Sequence, residues 1–308
     1  MKTLFIICML VASTLCWKAY EHGQGPFSNM TNEEFARDYL MSLDDAPNEA
    51  PPVFNKDEFE ASCPINSTFN WKNTTQAKCI HPIRDQGRCG SCWSFATTEV
   101  LSDRYCLDTG DEKIIFSPQY MVDCANETWE AEGCDGAETQ TILKWMEEYG
   151  AVTDSCYPYY SGTTEKAGVC QQQCTCGQEW KVFSVLKNST KLYFNYTNCE
   201  IAQEIQKNGP VYFSMVVFAD FKDYSGGIYH PISYDALGTH AVKCFGWGYD
   251  SAELSYYWIC ANSWSSSWGE EGFFRIGFND FIGYKAGSVK FGGSSIQNPF
   301  ISVKSILA

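Results

Sequence analysis

The sequence predicts an α+β protein in two segregated halves with a cleft between them, and three observations lead there. Helical periodicity is concentrated before about residue 150, whereas apolar and aromatic runs separated by Gly and Asn turns fill the chain after about residue 210. Helices first and strands second is the order expected of α+β rather than of alternating α/β architecture. The third observation is Cys92, placed at the start of a helix in QGRCGSCWSFA, residues 86–96, a stretch that the remaining motifs serve.

Length and composition bound the answer. The 308 residues suffice for a sizeable core in one large domain or two, and 44% hydrophobic with 19% charged content is that of a globular chain. A formal charge of −15 argues against nucleic acid or an anionic membrane as partner, because both need clustered Lys and Arg. It fits a soluble protein of an acidic compartment.

The first 16 residues, MKTLFIICMLVASTLC, read as a signal peptide: Lys2, an apolar run from Leu4 to Val11, then small residues. No later stretch has the roughly 20 apolar residues of a membrane span. Six N-x-[ST] sequons, at Asn29, Asn66, Asn73, Asn126, Asn188 and Asn195, and sixteen cysteines fit passage through an oxidising secretory compartment. The expected destination is a lysosome-like organelle or the exterior.

Residues 17–63 form an acidic segment, ten Asp or Glu against three Lys or Arg, with a DDAPNEAPP linker. Within it SNMTNEEFARDYL predicts one amphipathic helix, with Thr31 as N-cap, Glu34 completing a capping box, and Phe35, Tyr39 and Leu40 on one face. Two readings stand side by side: a helix packed on the main domain, or a removable prosegment lying over the active-site region. The body then divides into a helical half, 64–180, and a strand-rich half, 181–308.

In the first half, Gly87 and Gly90 permit tight turns before Cys92, and WSFATTEVLSDRY continues as a helix. SPQYMVDC predicts a short helix with Ser117 as cap and Pro118 at its first position, and ETQTILKWMEEYG a third that ends at Gly150. In the second half, one more helix at IAQEIQKN precedes strands at VYFSMVVF, THAVKCFGWG, YYWICANSW and GFFRIGF. No internal repeat interrupts this order.

A helix N-terminus favours an anion, so the Cys92 thiol is expected to shift toward the thiolate that attacks carbonyl carbon. Such a nucleophile needs a base, a group that orients the base, and donors for the oxyanion. Of the histidines in the body, His81 lies beside Pro82 and His230 before Pro231, neither at a strand start. His240 opens GTHAVKCFGWG, where an apolar strand fixes its imidazole against the core. Asn262 in CANSWSSSWGEEGFFRI is the orienter, with Trp264 shielding its bond from water. Gln86 and the backbone N–H of Cys92 form the oxyanion hole. Each has a plainer reading: a core histidine, a turn asparagine, a surface glutamine.

These residues together resemble a papain-family cysteine protease. CGSCW with His240 and Asn262 placed 148 and 170 residues after Cys92 matches the family signature, and the likeness covers residues 65–276. Within the family the chain is most similar to the cathepsin B branch, through IRDQGRCGSCWSFATTEVLSDR, SPQYMVDC, GPVYFSMVVFADFKDYSGGIYHP, THAVKCFGWG and YWICANSWSSSWGEEGFFRI. The resemblance implies a helical left domain and a β-barrel right domain, with a Cys92 thiolate paired to a His240 imidazolium in the cleft between them. It implies no cofactor and no metal. As partners it implies protein and peptide substrates, the chain's own prosegment as inhibitor, and cystatin-type inhibitors, with the enzyme a monomer. It marks Gly136, Ala137, Thr239 and Trp264 as substrate-binding positions. It also pairs Cys79 with Cys106, Cys89 with Cys134, Cys124 with Cys170, and Cys156 with Cys174. For the rest, Cys63 is expected to leave with the prosegment, Cys176 to pair with Cys199, and Cys244 and Cys260 to be buried free thiols.

Three departures bear on substrate. The histidine-bearing occluding loop of cathepsin B is missing: only 17 residues, none of them His, separate Cys156 from Cys174. Endopeptidase rather than dipeptide-removing activity is therefore expected. The family's GCxGG appears as GCDGA, whose Ala137 methyl narrows the cleft. The acidic S2 residue of cathepsin B aligns with Gly287, so an apolar P2 side chain is expected over Arg. The resulting expectation is a cysteine endopeptidase made as a zymogen and acting through an acyl-enzyme thioester. The alternative is a papain-like protein that binds rather than cuts; a structural glycoprotein would leave Gln86, Cys92, His240 and Asn262 without a reason.

Overall fold

The computed structural model describes residues 17–43, 54–125, 127–175, 177–185, 191–192, 197–278, 280 and 282–288. The signal-peptide reading, the whole DDAPNEAPP linker and Cys176 lie outside them. In chain order the elements are β1 (Lys18–Ala19), α1 (Asn32–Tyr39), α2 (Lys56–Ser62), β2 (Phe69–Asn70), α3 (Cys92–Thr109), α4 (Pro118–Cys124), α5 (Thr139–Tyr149), α6 (Ser161–Thr164), β3 (Lys191–Leu192), α7 (Asn198–Asn208), β4 (Val211–Phe218), β5 (Tyr224–Gly226), β6 (Ile228–Tyr229), β7 (Ala236–Asp250), β8 (Ser255–Ala261), β9 (Phe273–Gly277) and β10 (Ile282–Ser288).

Local chemistry explains the helix ends. At α1 the Thr31 hydroxyl accepts the Glu34 N–H at 3.1 Å and the Glu34 carboxylate accepts the Thr31 N–H at 2.9 Å, a closed capping box. Ser117 caps α4 through the Tyr120 N–H, and α3 stops at Gly110, whose φ of 79° suits a residue without a Cβ.

Two cores result. The helical core collects Trp93, Leu101, Tyr120, Met121, Leu143, Trp145 and Met146 from α3, α4 and α5. The strand half is an eight-stranded sheet in the order β3-β10-β4-β7-β8-β9-β6, with β2 joined to β7. It is antiparallel except for β6 with β9. Its core holds Phe213, Trp247, Trp258, Trp268 and Phe274. Residues 54–71 also pack on this side, since Trp71 donates to the Ile205 carbonyl at 2.8 Å and Trp247 to that of Asn66 at 3.1 Å.

The halves meet along α3 and β7. Lys243 on β7 sits 2.8 Å from Asp103 and 3.7 Å from Glu99, both on α3 and all nearly sealed from water. Burial works against this ammonium, but the two carboxylates outweigh it and hold its pKa above the ordinary lysine value. Asp103 also holds His81 at 2.7 Å, which makes that histidine a structural one.

Six disulfides are present among the described residues. Four are Cys79–Cys106, Cys89–Cys134, Cys124–Cys170 and Cys156–Cys174. The other two correct the reading above. Cys63 is bonded to Cys199, which leaves no Cys199 thiol to pair with Cys176. Cys244 and Cys260 are not free thiols: β7 and β8 pair them directly, Cα atoms 4.0 Å apart, and they are cross-linked. Alternation told which side of each strand they occupy; it did not tell the cross-strand register.

Candidate active site

Cys92 is the first residue of α3, and the preceding Ser91 places no side-chain cap on the helix. The first-turn amides are thus left for the sulfur, toward which the N–H groups of Cys92, Trp93 and Ala241 point. Since Ala241 follows His240 on β7, the nucleophile candidate and the base candidate lie side by side across the junction of the two halves.

His240 places its Nε2 2.7 Å from Asn262 Oδ1, and that same oxygen accepts the Ser263 N–H at 2.8 Å. Because the Ser263 amide must meet an acceptor, the Asn262 oxygen is fixed in orientation and the imidazole carries its proton on Nε2. Its Nδ1 is buried with no hydrogen-bond partner, leaving a free lone pair within the site. Trp264 covers the pair, ring centroid 4.5 Å from that of His240. By contrast, His230 is engaged elsewhere, bonded to Asp280 at 2.7 Å and Glu253 at 3.1 Å.

Gln86 is fully buried. Its Oε1 accepts the Ser263 hydroxyl at 2.7 Å, which turns Nε2 outward to donate to Cys89 O at 2.9 Å and Tyr39 O at 3.0 Å. Backbone bonds from Gln86 N–H to Ser263 O and from Ser265 N–H to Arg84 O bind this loop to the segment that bears Asn262 and Trp264. Tyr159 braces it from the other side, its hydroxyl 2.7 Å from both Gln86 O and Ser91 Oγ.

Residues 39–42 run through the cleft over these groups. Met41 N–H donates to Thr239 O at 2.9 Å, Thr239 N–H donates to Met41 O at 3.0 Å, and the Thr239 hydroxyl donates to Ser42 O at 2.9 Å. A Cβ on Gly238 would lie 2.7 Å from Met41 O, and one on Gly90 2.7 Å from Leu40 O, so both glycines permit the close approach. The Met41 side chain is buried with Cys92, Ala137, Tyr212 and Ala241 and lies over Gly136. Ala137 faces Ala131 in a bridge whose two hydrogen bonds come from flanking residues, so its own amide and carbonyl are turned away from that partner. Upstream, Phe27, Phe35 and Tyr39 stack edge-on against Trp264.

Burial works against the expected ion pair in this closed form. Cys92 and His240 are both fully buried; burial pushes the thiol up to about 12, despite the three amides, and the imidazole down to about 4, despite Asn262. Both shifts oppose the charged forms while the site is closed. Sequence reasoning missed Ser263 and Tyr159, which act through contacts distant in the chain, and Met41; the reading of a prosegment over the active-site region did not say which of its residues enter the cleft. No cluster of metal-ligating residues occurs among the described residues, and no described helix is long and apolar enough to cross a membrane.

A cysteine at a helix start in one half, set against an imidazole–amide pair in the strand-rich other half, is the architecture of a two-domain thiol protease. The chain belongs to the papain family of cysteine proteases, whose family model matches residues 65–287. It is 34% identical over 199 residues to a cathepsin B-like protease of Giardia intestinalis, Cathepsin B-like CP3, a stretch covering 64% of each chain. It is 36% identical over 228 residues to a gut-specific cysteine proteinase of Caenorhabditis elegans, covering 69% of this chain and 68% of the relative. Among solved structures, procathepsin B S9 from Trypanosoma congolense superposes with a TM-score of 0.74 at 26% identity, covering 94% of this chain and 98% of that one.

Proposed function

We propose that the protein is a cysteine endopeptidase synthesised as a zymogen, held closed by its own residues 17–42. The observation that carries this reading is the Tyr39 carbonyl on Gln86 Nε2, with Met41 clamped by Thr239: a peptide segment of the chain occupies the groove beside Cys92. Once the segment is removed, His240 Nδ1 takes the thiol proton and the thiolate attacks a substrate carbonyl. Gln86 Nε2 and the Cys92 N–H stabilise the oxyanion, and imidazolium protonates the departing amine. Water, deprotonated by His240, then hydrolyses the thioester. Asn262 keeps the imidazole in the tautomer this sequence needs.

Substrates are proteins and peptides with an apolar P2 residue, in keeping with the Met41 side chain seated among Ala137, Tyr212 and Ala241 and with Gly287 opposite Tyr212 in the β4–β10 pairing. The short Cys156–Cys174 loop favours internal cleavage over dipeptide removal. The secretory route is supported by six disulfides and by sequons of which Asn29, Asn66 and Asn73 are exposed. Labelling with a peptidyl fluoromethylketone tests the reading: Cys92 is modified, Cys92→Ser is not, and Phe-Arg substrates are cut in preference to Arg-Arg. A folded, processed protein that neither labels nor cuts would instead be a binding module.

A further inference from the structure

The segment ahead of the catalytic domain is built in two unlike parts. Residues 17–42 contain no cysteine and cover the cleft. Residues 54–63 lie elsewhere, against β8 and β9. Phe59 is buried with its ring 4.9 Å from that of Tyr256 and 5.7 Å from that of Phe278, and Phe54 stands 5.2 Å from Phe278. The Tyr256 hydroxyl donates to Glu60 at 3.1 Å. Asn55 caps α2 by accepting the Glu58 N–H, and at the other end Cys63 is bonded to Cys199 on α7.

We propose that Asn55–Cys63 is a permanent part of the enzyme, retained through activation by the Cys63–Cys199 bond while the cleft-covering part is lost. The inference rests on the zymogen reading. Hydrolysis of a peptide bond adds one water and gives one new carboxylate and one new amine; it leaves a disulfide untouched, because opening that bond needs two electrons from a thiol or other reductant. A cut ahead of Phe54 therefore leaves α2 on the main chain, and a cut just after Cys63 leaves it as a disulfide-held peptide. In either case Tyr256 and Phe278, 3% and 6% exposed, keep their cover. Residues 17–42 have no such bond and leave by dissociation.

The test is the intact mass of the processed full-length product, measured without reductant after incubation with a peptidyl fluoromethylketone and again after reduction. The expected unreduced mass includes residues 55–63, and reduction either adds only the two hydrogens gained per disulfide or also removes the mass of a single peptide containing Cys63. An unreduced product that begins at or beyond Pro64 and carries no such peptide overturns the proposal. Retention is read from the mass of the cut chain whether or not it carries the label. Loss of the label at Cys92 thus counts against the protease reading, and loss of residues 55–63 against this one.

Discussion

Met41 and Thr239 exchange both of their backbone hydrogen bonds, at 2.9 and 3.0 Å, an antiparallel bridge that fastens residues 39–42 to the strand bearing His240. The bridge holds residues 39–42 in place, but backbone bonds of this kind are available to any sequence. Selectivity falls to the Met41 side chain, buried to 6% exposure. Truncation by Met41→Ala gives up most of the burial of one apolar side chain, about 1.5–3 kcal/mol, which weakens inhibition by residues 17–42 on the order of tenfold to a hundredfold. The inhibition constant of the isolated segment, wild type against variant, is the measurement. An unchanged constant would show that Met41 only fills space.

Acid should loosen the same closure. In the covered site His240 binds its proton only below about 4, against an ordinary value of 6.5, so between these two values the opened or unfolded chain holds more protons than the closed one. Closure is therefore at full strength above pH 6.5 and weakens as pH falls toward 4, by about 3 kcal/mol over the interval. Cys92 acts in the opposite direction, its pKa raised from 9.0 to about 12, so its contribution is intact below 9 and lost as pH rises through that range. The closed form is thus most stable between about pH 6.5 and 9. Thermal midpoints of Cys92→Ser zymogen, which cannot process itself, should drop between pH 7 and pH 4.5, and His240→Gln should flatten part of that drop. Parallel profiles for the two proteins would remove His240 as the source.

The Cys244–Cys260 bond joins the strand that carries His240 to the strand that leads into Asn262, four residues after the first and two before the second. It closes a loop of 16 residues, for which the chain-entropy estimate is about 3 kcal/mol. Cys244→Ala with Cys260→Ala should lower the urea midpoint of the inactive Cys92→Ser protein accordingly. Alkylation of the unfolded, unreduced wild type should modify neither cysteine, and modification of both would refute the cross-link.

How much of this was legible in the sequence depended on range. The α1 capping box, the start of α3 at Cys92 and the Ser117 cap are set by residues three or four apart, and each formed where the pattern put it. Cys63 and Cys199 lie 136 residues apart, and no local spacing announces such a pair. The burial of Cys92 and His240 in the closed form was also out of reach. A helix N-terminus argues for a thiolate, but the desolvation that opposes it comes from burial in the folded chain, where Met41, far upstream, joins the cluster that holds Cys92.

Ser263 supplies the last test, because its hydroxyl touches no reacting atom and yet, together with Cys89 O on Nε2, orients the Gln86 amide. With the 2.7 Å bond to Oε1 intact, Nε2 faces the cleft; without it, the amide gains freedom to rotate its oxygen inward, where it would repel an oxyanion. Gln86→Ala removes the donor outright and should cost on the order of a hundredfold to a thousandfold in kcat, the usual effect of losing one oxyanion donor. Ser263→Ala removes one net hydrogen bond, worth about 0.5–1.5 kcal/mol, so kcat/KM should fall roughly twofold to tenfold. The loss should lie in kcat rather than KM, since the oxyanion exists only beyond the ground state. In a Gln86→Ala background the Ser263 substitution should have almost no further effect. Additive losses in the double variant would mean that Ser263 acts on the site by another route, such as the Asn262 backbone it adjoins.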